Sequence, residues 1–339
     1  MKLLICTQKV DRQDTTLGFF HRWIIEFAKH FESVTVICLY EGEHDLPEHV
    51  KVLSLGKERG KSHPKYILRF YKYVLRESGN YDSVLVHMNQ EYILLGGLFW
   101  KLFRKKVYMW RNHYNGSWLT DVAAVFCSKV FCTSRFSYTA KYKKTVLMPV
   151  GIDTNFFTSN PTIKRTPLSI LSQGRISPSK NIHIFIEVLG HLKKKGKVFT
   201  ASIYGDPLPK DTEYYTCLKK RVQELELSQS VTFYSALRYN DLPNVYSQHQ
   251  IFVNLSPSGM YDKTMFEAAA CGCVVVALNK DLEGIFGSAY VSASDKPEVI
   301  AEKITNFLSP VLIDNNLREI TKKTHDLVFL GNRIAEEIR

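Results

Sequence analysis

Short apolar runs alternate with longer amphipathic stretches along almost the whole chain. The runs at 34–39 and 274–278 are rich in Val and hold no charged residue, which is typical of strands buried on both faces of a parallel sheet. The stretches at 182–195 and 213–225 carry apolar residues three and four positions apart, which predicts helices. This alternation predicts an α/β protein built from doubly wound parallel sheets.

The alternation falls into two halves, separated by a polar, proline-containing linker at 160–167. We therefore predict an N-terminal domain over residues 1–160 and a C-terminal domain over residues 161–320. The remaining residues, 321–339, are predicted to form a last helix. A chain of 339 residues with 45% hydrophobic side chains is long enough to bury a core in each domain.

The net charge of +12 is unevenly distributed between the halves. Residues 1–160 hold 23 Lys and Arg against 14 Asp and Glu, whereas residues 161–339 hold 22 against 19. A basic N-terminal half favours an anionic partner there, such as nucleic acid, anionic lipid or a phosphorylated acceptor. Because no nucleic-acid-binding motif accompanies the charge, we do not expect a nucleic-acid partner.

The cysteines and the apolar runs indicate in which cellular compartment the protein is found. Seven cysteines form no paired framework and no set with zinc-ligand spacing, so reduced thiols are expected. The N-terminus, MKLLICTQKV, predicts a strand followed by polar residues rather than a signal peptide. The longest apolar run, 92–100, is too short to span a bilayer. We predict a cytoplasmic protein that can also bind peripherally to the cytoplasmic face of a membrane.

A predicted helix at 64–76 carries cations on one narrow stripe and apolar residues on the far side. The stripe consists of Lys65, Arg69, Lys72 and Arg76. This pattern is typical of an amphipathic helix on an anionic bilayer, although an ordinary surface helix with a solvated basic face would look the same. A second basic cluster, which includes Lys105 and Lys106, favours the membrane.

The stretch at 251–278 reads as a strand, a loop, a helix over 262–270 and a second strand. Gly272 ends the helix, where a residue with positive φ is favoured. The N–H groups of the first helical turn suit a phosphate, and ligands of such units bind at the carboxyl ends of the strands. Glu267 lies inside this helix among apolar and small residues, so its carboxylate requires polar partners, and a pair of ribose hydroxyls would serve.

Two cations follow the first strand of the C-terminal half. Arg175 and Lys180 lie in the segment Gly-Arg-Ile-Ser-Pro-Ser-Lys-Asn at 174–181. Arginine can hold phosphate oxygens with two parallel hydrogen bonds, and lysine adds a point charge. Together they would neutralise a nucleotide diphosphate and stabilise it as a leaving group.

These segments resemble a known family. MFEAAACGCVVVA at 265–277 and the segment at 174–181 are similar to the donor-site motifs of GT-B glycosyltransferases of family 4, and VGIDTNFF at 150–157 resembles a third block. The resemblance implies two Rossmann-like domains facing a cleft, with the last helix returning to the N-terminal domain. It also implies sugar transfer from a nucleotide diphosphate sugar, of UDP or GDP type, without a cofactor or metal. The acceptor would be a lipid-linked or polysaccharide hydroxyl in bacterial envelope glycan synthesis, with retention at the anomeric centre.

The resemblance assigns roles to individual residues. Gly18 would let the first loop approach the donor diphosphate, His113 would face the donor sugar as the catalytic residue, and Glu267 would hold the ribose. Contacts with the distal phosphate and sugar would come from Met260, Tyr261, Asp262, Lys263 and Thr264.

One position departs from the family. Gly259 stands where the family has the first of two glutamates, so the identity of the sugar and the stereochemical outcome are open, although Asp262 could reach the same hydroxyls. Two alternatives remain: a degenerate family member that acts as a scaffold, and a nucleotide-sugar epimerase. The sequence contains no Gly-x-Gly-x-x-Gly, no Walker A motif and no Asp-x-Asp, which disfavours dinucleotide redox chemistry and agrees with a metal-free site.

Overall fold

The computed structural model describes residues 1–60, 62–259, 261–308 and 314–339 and divides into two compact units. The N-terminal unit comprises Met1–Gly151 and Leu327–Arg339, and the C-terminal unit comprises Ile152–Asp326.

The N-terminal unit is a seven-stranded parallel sheet with helices on both faces. Its strands are β1 (Lys2–Val10), β2 (Ser33–Glu41), β3 (Val50–Ser54), β4 (Ser83–His87), β5 (Lys106–Trp110), β6 (Lys129–Cys132) and β7 (Thr145–Leu147). Its helices are α1 (Gly18–Ala28), α2 (His63–Arg76), α3 (Glu91–Leu102), α4 (Trp118–Phe126) and, at the far end of the chain, α12 (Leu327–Ile338). The strand order is β3-β2-β1-β4-β5-β6-β7, the order of a doubly wound sheet.

Two hydrophobic cores cover the two faces of this sheet. On one face α2, α3 and α4 bury large side chains such as Phe70 and Trp100. On the other face α1 and α12 pack together around Trp23 and Leu330, both of which are almost fully buried. Burial on both faces explains why the strands read as nearly continuous apolar runs.

The tail of the chain forms two helices rather than the one helix predicted at 321–339. Helix α11 (Asn315–His325) belongs to the C-terminal unit, and α12 packs on α1 in the N-terminal unit. The break falls at Asp326, whose backbone is extended and whose carboxylate accepts a hydrogen bond of 2.6 Å from the Thr154 hydroxyl. Ile152 pairs with the same short segment through its N–H and the His325 carbonyl, at 2.8 Å.

The C-terminal unit is a five-stranded parallel sheet of the same type. Its strands are β8 (Ser169–Gln173), β9 (Thr200–Tyr204), β10 (Val231–Tyr234), β11 (Ile251–Asn254) and β12 (Val274–Ala277), in the order β10-β9-β8-β11-β12. The remaining helices are α5 (Ile182–Lys194), α6 (Thr212–Glu224), α7 (Leu242–Gln248), α8 (Lys263–Ala270), α9 (Glu283–Phe286) and α10 (Pro297–Thr305). The predicted strand–helix–strand unit at 251–278 is thus β11, α8 and β12, and every residue of β12 is buried.

The boundary between the units lies at Gly151, earlier than the predicted position at residue 160. Residues 152–160 belong to the C-terminal unit because Phe157, which is fully buried, packs its ring against Tyr239 and Tyr246. Gly151 has a φ of 72°, and a Cβ there would lie 2.3 Å from a Leu330 methyl carbon, so the close packing of α12 requires glycine at this position.

The state of the cysteines and the lengths of the apolar helices were also predicted. The seven cysteines are all free, and all except Cys217 are buried. Within the described ranges, no helix combines the length and the apolar character needed to cross a membrane.

Candidate functional site

The candidate site lies where the strand order of the C-terminal sheet reverses. Strands β8 and β11 are neighbours there, and the connections leave the two strands in opposite directions, which opens a crevice at their carboxyl ends. A small cavity at this place is lined by Arg175, Lys180, Tyr204, Asn254 and Ser256, among others. The sheet topology therefore brings the predicted diphosphate-binding cations to the usual ligand position of this fold.

Two glycines fix the path of the loop that carries these cations. Gly174 follows β8 with a φ of 142° and donates its N–H to the Tyr204 carbonyl at 3.1 Å. Gly205 follows β9, and a Cβ there would lie 1.9 Å from the Gly174 carbonyl oxygen. Only glycine allows the two strand ends to approach so closely, and this approach sets the direction in which Arg175 leaves the sheet.

Arg175 and Lys180 differ in how they are held. Arg175 is exposed and has no hydrogen-bond or ion-pair partner among the residues that the structure describes. Lys180 is about one-fifth exposed and forms a short ion pair with Asp262, and its Nζ also lies 3.3 Å from the Ser256 hydroxyl. One predicted phosphate ligand is therefore open, and the other is already paired with a carboxylate of the chain.

Asp262 is the N-cap of α8 and the centre of a local hydrogen-bond network. Its Oδ1 faces the Thr264 N–H at 3.5 Å, and its Oδ2 accepts a hydrogen bond of 3.0 Å from the Asn254 amide as well as the contact from Lys180. Burial alone would raise the pKa of this carboxyl. The Lys180 ammonium and the hydrogen bonds outweigh burial and hold the pKa below its ordinary value, so Asp262 is an anion at neutral pH.

Glu267 lies one turn further along α8 and is 3% exposed. Its Oε2 accepts a hydrogen bond from the Tyr246 hydroxyl at 3.2 Å. Burial raises the pKa of Glu267 to about 8, against the opposing effect of the Lys263 ammonium one helical turn away. Burial lowers the pKa of Lys263 to about 7, so this pair holds fewer charges near neutral pH than its residue types suggest.

The loop before α8 accounts for the glycine at position 259. Gly259 has a φ of 87°, a conformation that disfavours glutamate, and its N–H donates to the Asp281 carboxylate at 3.0 Å. The Tyr261 hydroxyl donates to the Asp281 carbonyl at 3.2 Å, and Thr264 accepts a hydrogen bond of 3.2 Å from Asn254. Met260, also predicted to bind the donor, lies outside the described residues.

The remaining predicted site residues belong to the N-terminal unit. Gly18 is the buried first residue of α1, and its N–H donates to the Asp14 carbonyl at 3.1 Å. The Asp14 carboxylate in turn accepts hydrogen bonds from the N–H groups of Thr16 and Leu17, at 2.8 and 2.6 Å. His113 follows β5, its ring stacks on Tyr114 at 4.5 Å, and its Nδ1 accepts the Asn115 N–H at 2.9 Å.

The basic stripe on α2 is less open than its sequence spacing indicated. Lys65 and Lys72 are exposed and have no ion-pair or hydrogen-bond partner within the described ranges. Arg69 instead donates to the Leu55 carbonyl at 2.6 Å, and Arg76 pairs with Glu77 at 2.9 Å. The reason is that the residue after β3, Leu55, and the residue after α2, Glu77, supply acceptors that the spacing of the cations does not reveal.

The second basic cluster is likewise held in part by the protein. Lys105 donates to the Tyr81 carbonyl at 2.6 Å, and Lys106 donates to the Arg339 carbonyl at 3.1 Å. Lys101 and Arg104 remain exposed beside them.

An apolar surface that extends beyond the apolar side predicted for the helix at 64–76 adjoins these cations. Half of the exposed large apolar side chains in the described chain lie on α2, on α4, or on α3 and the residue after it. They are Ile67, Leu68, Leu75, Leu98, Leu102, Phe103, Trp118, Val122 and Val125. The three helices are neighbours, because the rings of Tyr71 and Phe99 lie 5.4 Å apart and a Cβ on Gly97 would touch Phe126. We call these nine side chains the apolar face of α2–α4.

Three polar residues of the candidate site were not predicted. Asn254 and Ser256 contact the Lys180–Asp262 pair, and Tyr246 contacts Glu267. A polar residue at the carboxyl end of a buried strand was the available signal for Asn254, whereas Tyr246 lies on α7 and is recognisable only in the folded chain. Among the described residues, no group of three or more His, Cys, Asp or Glu side chains could hold a metal ion.

Comparison with known proteins agrees with this arrangement. Residues 153–324 match the family model described as Glycosyl transferases group 1. This match covers half of the chain, which therefore belongs to that family. The chain is also 26% identical over 241 residues to the alpha-monoglucosyldiacylglycerol synthase of Streptococcus pneumoniae, an alignment that covers 64% of this chain. The chain spans about half the length of that curated relative, 52%.

Solved structures resemble the whole chain. HepE from Anabaena, determined in complex with UDP and glucose, has a TM-score of 0.79 at 20% identity, with 99% of this chain and 98% of that chain covered. A glycosyltransferase from Rickettsia africae has a TM-score of 0.73 at 17% identity, with the same coverage. Together with the two parallel sheets and their flanking helices, these similarities confirm the predicted GT-B fold.

Proposed function

We propose that the protein transfers a sugar from a UDP-sugar to a hydroxyl group of a lipid acceptor at a membrane surface. The observation that carries the proposal is the pair of cations, Arg175 and Lys180, at the strand-order reversal of the C-terminal sheet. Lys180 pairs with the N-cap of α8, the helix that carries the buried carboxyl of Glu267. The UDP-bound structures of the neighbour HepE support UDP as the nucleotide, and the alternative is GDP.

The proposed role of the donor-site cations follows from the charge of the leaving group. When the bond between the sugar and the diphosphate breaks, negative charge accumulates on the leaving diphosphate. Arg175 is open to hold it with two hydrogen bonds, and Lys180 adds a second positive charge. Glu267 would accept hydrogen bonds from the ribose hydroxyls in place of the hydrogen bond from the Tyr246 hydroxyl. Because these side chains supply the positive charge, we propose that transfer is independent of metal.

The remaining roles rest on the family resemblance. We propose that His113 faces the donor sugar, that Gly18 belongs to the diphosphate loop and that transfer retains the anomeric configuration. The scaffold and epimerase alternatives gain no support from the described residues. Gly259, the main argument for a scaffold, has a local reason in its positive φ, and the cations of the donor site are still present.

The acceptor side of the proposal is supported by the surface of the N-terminal unit. The apolar face of α2–α4 offers side chains that a bilayer interface can bury, and exposed cations flank it, namely Lys65, Lys72, Lys101 and Arg104. Basic residues around apolar ones suit an interface with anionic lipid headgroups. The curated relative is named as a synthase of a glucosylated diacylglycerol, which supports a lipid acceptor in bacterial envelope synthesis.

A transfer assay tests the proposed function. The protein is incubated with radiolabelled UDP-glucose, UDP-galactose or UDP-N-acetylglucosamine and with vesicles of phosphatidylglycerol and diacylglycerol, and the lipid fraction is counted. We expect label in lipid with one donor, unchanged by EDTA, and a rate about a hundredfold lower for Arg175→Ala. Lys197→Ala, which removes an exposed lysine that follows α5, is the matched control. Binding of no nucleotide and transfer from none of the donors would contradict the proposal and favour the scaffold.

A further inference from the structure

The donor site contains an anion that belongs to the protein. The Asp262 carboxylate contacts Lys180, and it also caps the N-terminus of α8 through the Thr264 N–H. These are the two groups that the sequence predicts as phosphate ligands, a cation and a helix N-terminus. Arg175 is the third predicted phosphate ligand, and it has no hydrogen-bond or ion-pair partner among the described residues.

From this arrangement we infer that Asp262 competes with the donor diphosphate for Lys180, so that its carboxylate sets the affinity for the nucleotide. The inference rests on the proposed function, because it concerns the same site. When the diphosphate enters, the Lys180 ammonium leaves Asp262 and turns to a phosphate oxygen. Asn254 and Thr264 remain as hydrogen-bond partners of the released carboxylate.

The geometry also argues against the role that the sequence suggested for Asp262. A carboxylate that holds sugar hydroxyls in place of the missing glutamate needs free acceptor positions. Oδ2 of Asp262 is occupied by Lys180 and Asn254, and Oδ1 faces the Thr264 N–H at 3.5 Å, which leaves fewer positions than a pair of sugar hydroxyls needs. The side chain is also only 14% exposed. Asp262 is therefore arranged as an internal counter-ion rather than as a sugar ligand.

The substitution Asp262→Asn separates the negative charge of this residue from its role as the N-cap of α8, with little change in structure. Asparagine is as good an N-cap as aspartate, so α8 keeps its cap while the negative charge is removed. Lys180 then has no competing anion, and the diphosphate no longer approaches a like charge. We expect UDP to bind about tenfold more tightly to Asp262→Asn than to the wild-type protein, a difference of about 1.4 kcal/mol.

The experiment is calorimetric titration of the full chain with UDP in EDTA. Asp314→Asn is the matched control, because Asp314 is likewise a buried N-cap, of α11, in the same unit. It should leave the UDP affinity unchanged. In a Lys180→Met background the gain from Asp262→Asn should fall below about threefold, because the competition for Lys180 is absent and only the direct repulsion between the Asp262 carboxylate and the diphosphate remains.

Three outcomes would overturn the inference. Unchanged or weaker UDP binding by Asp262→Asn would show that the carboxylate does not oppose the diphosphate. A gain that persists undiminished in the Lys180→Met background would show that Lys180 is not the shared partner. Tighter wild-type binding with Mg²⁺, lost in Asp262→Asn, would make Asp262 a metal ligand. In each case UDP still binds the wild-type protein, whereas failure of the proposed function would appear as no binding to any variant.

Discussion

Ionisation of Glu267 should cost the folded protein stability, and the substitution Glu267→Gln should remove that cost. The carboxyl is 3% exposed, and burial raises its pKa to about 8, well above the ordinary value of 4.5. A folded-state pKa above the unfolded one means that the folded protein binds more protons between these values. Its stability contribution is therefore present at low pH and is lost as the pH rises towards 8.

The magnitude follows from the size of the shift. Each pKa unit corresponds to about 1.4 kcal/mol, so a difference of three to four units sets an upper limit of about 5 kcal/mol. The Lys263 ammonium stabilises ionised Glu267 and so lowers the free-energy cost of its ionisation. Burial lowers the pKa of Lys263 to about 7, so this stabilisation weakens near neutral pH. We expect Glu267→Gln to gain about 3 kcal/mol in unfolding free energy relative to wild type between about pH 5 and pH 8.

Thermal unfolding across this pH range measures the effect. For a unit of this size, 3 kcal/mol corresponds to a relative increase in Tm of about 6 to 12 °C. Glutamine can still accept the Tyr246 hydrogen bond, so packing is retained. The control is Glu319→Gln on α11, whose side chain is exposed and should give a difference that does not change with pH. If the difference between Glu267→Gln and wild type were the same at every pH, the carboxyl would not be desolvated in the folded protein, and the reasoning would be refuted.

Two further variants test the Gly174–Arg175 loop and the apolar face of α2–α4. Gly205→Ala places a Cβ 1.9 Å from the Gly174 carbonyl oxygen, so we expect a loss of about 2 kcal/mol in stability together with at least tenfold weaker UDP binding. Gly284→Ala, where a Cβ meets nothing within 4 Å, should change neither, and normal UDP binding by Gly205→Ala would show that the loop position is unimportant. Replacing Leu98, Leu102 and Trp118 by Ser should abolish sedimentation with phosphatidylglycerol vesicles, whereas Val198→Ser, which alters a side chain 77% exposed in the C-terminal unit, should not. Equal vesicle binding by both variants would exclude the apolar face of α2–α4 as the docking surface.

Features set by local sequence were predicted, and features set by contacts between distant segments were not. The Val-rich run of β12 and the spacing on α5 are local patterns, and the two parallel sheets that they predict are confirmed. The break at Asp326 was missed because no Gly or Pro marks it, and a contact with Thr154 far along the chain fixes it. The pairing of Lys180 with Asp262 was missed for the same reason, since the two residues are 82 positions apart.

The apolar face of α2–α4 shows a different limit of sequence reasoning. Leu98 and Val125 lie on helices of mostly apolar composition, and both are more than half exposed, which their spacing in the sequence does not indicate. The spacing of the cations placed Arg69 on an open basic stripe, because it does not show the Leu55 carbonyl that Arg69 contacts 14 positions earlier in the chain. The spacing of residues shows which side chains share a face, but only the packing of neighbouring helices decides which face meets solvent.

Direct calorimetric titration tests whether the C-terminal unit binds a nucleotide diphosphate through Arg175. Wild-type protein and Arg175→Ala are titrated with UDP, GDP and ADP in EDTA, with Lys197→Ala as the control for loss of an exposed cation. We predict that UDP binds the wild-type protein and the control equally, and that Arg175→Ala weakens this binding at least about tenfold. Binding of none of the three nucleotides, or equal binding by Arg175→Ala, would contradict the claim.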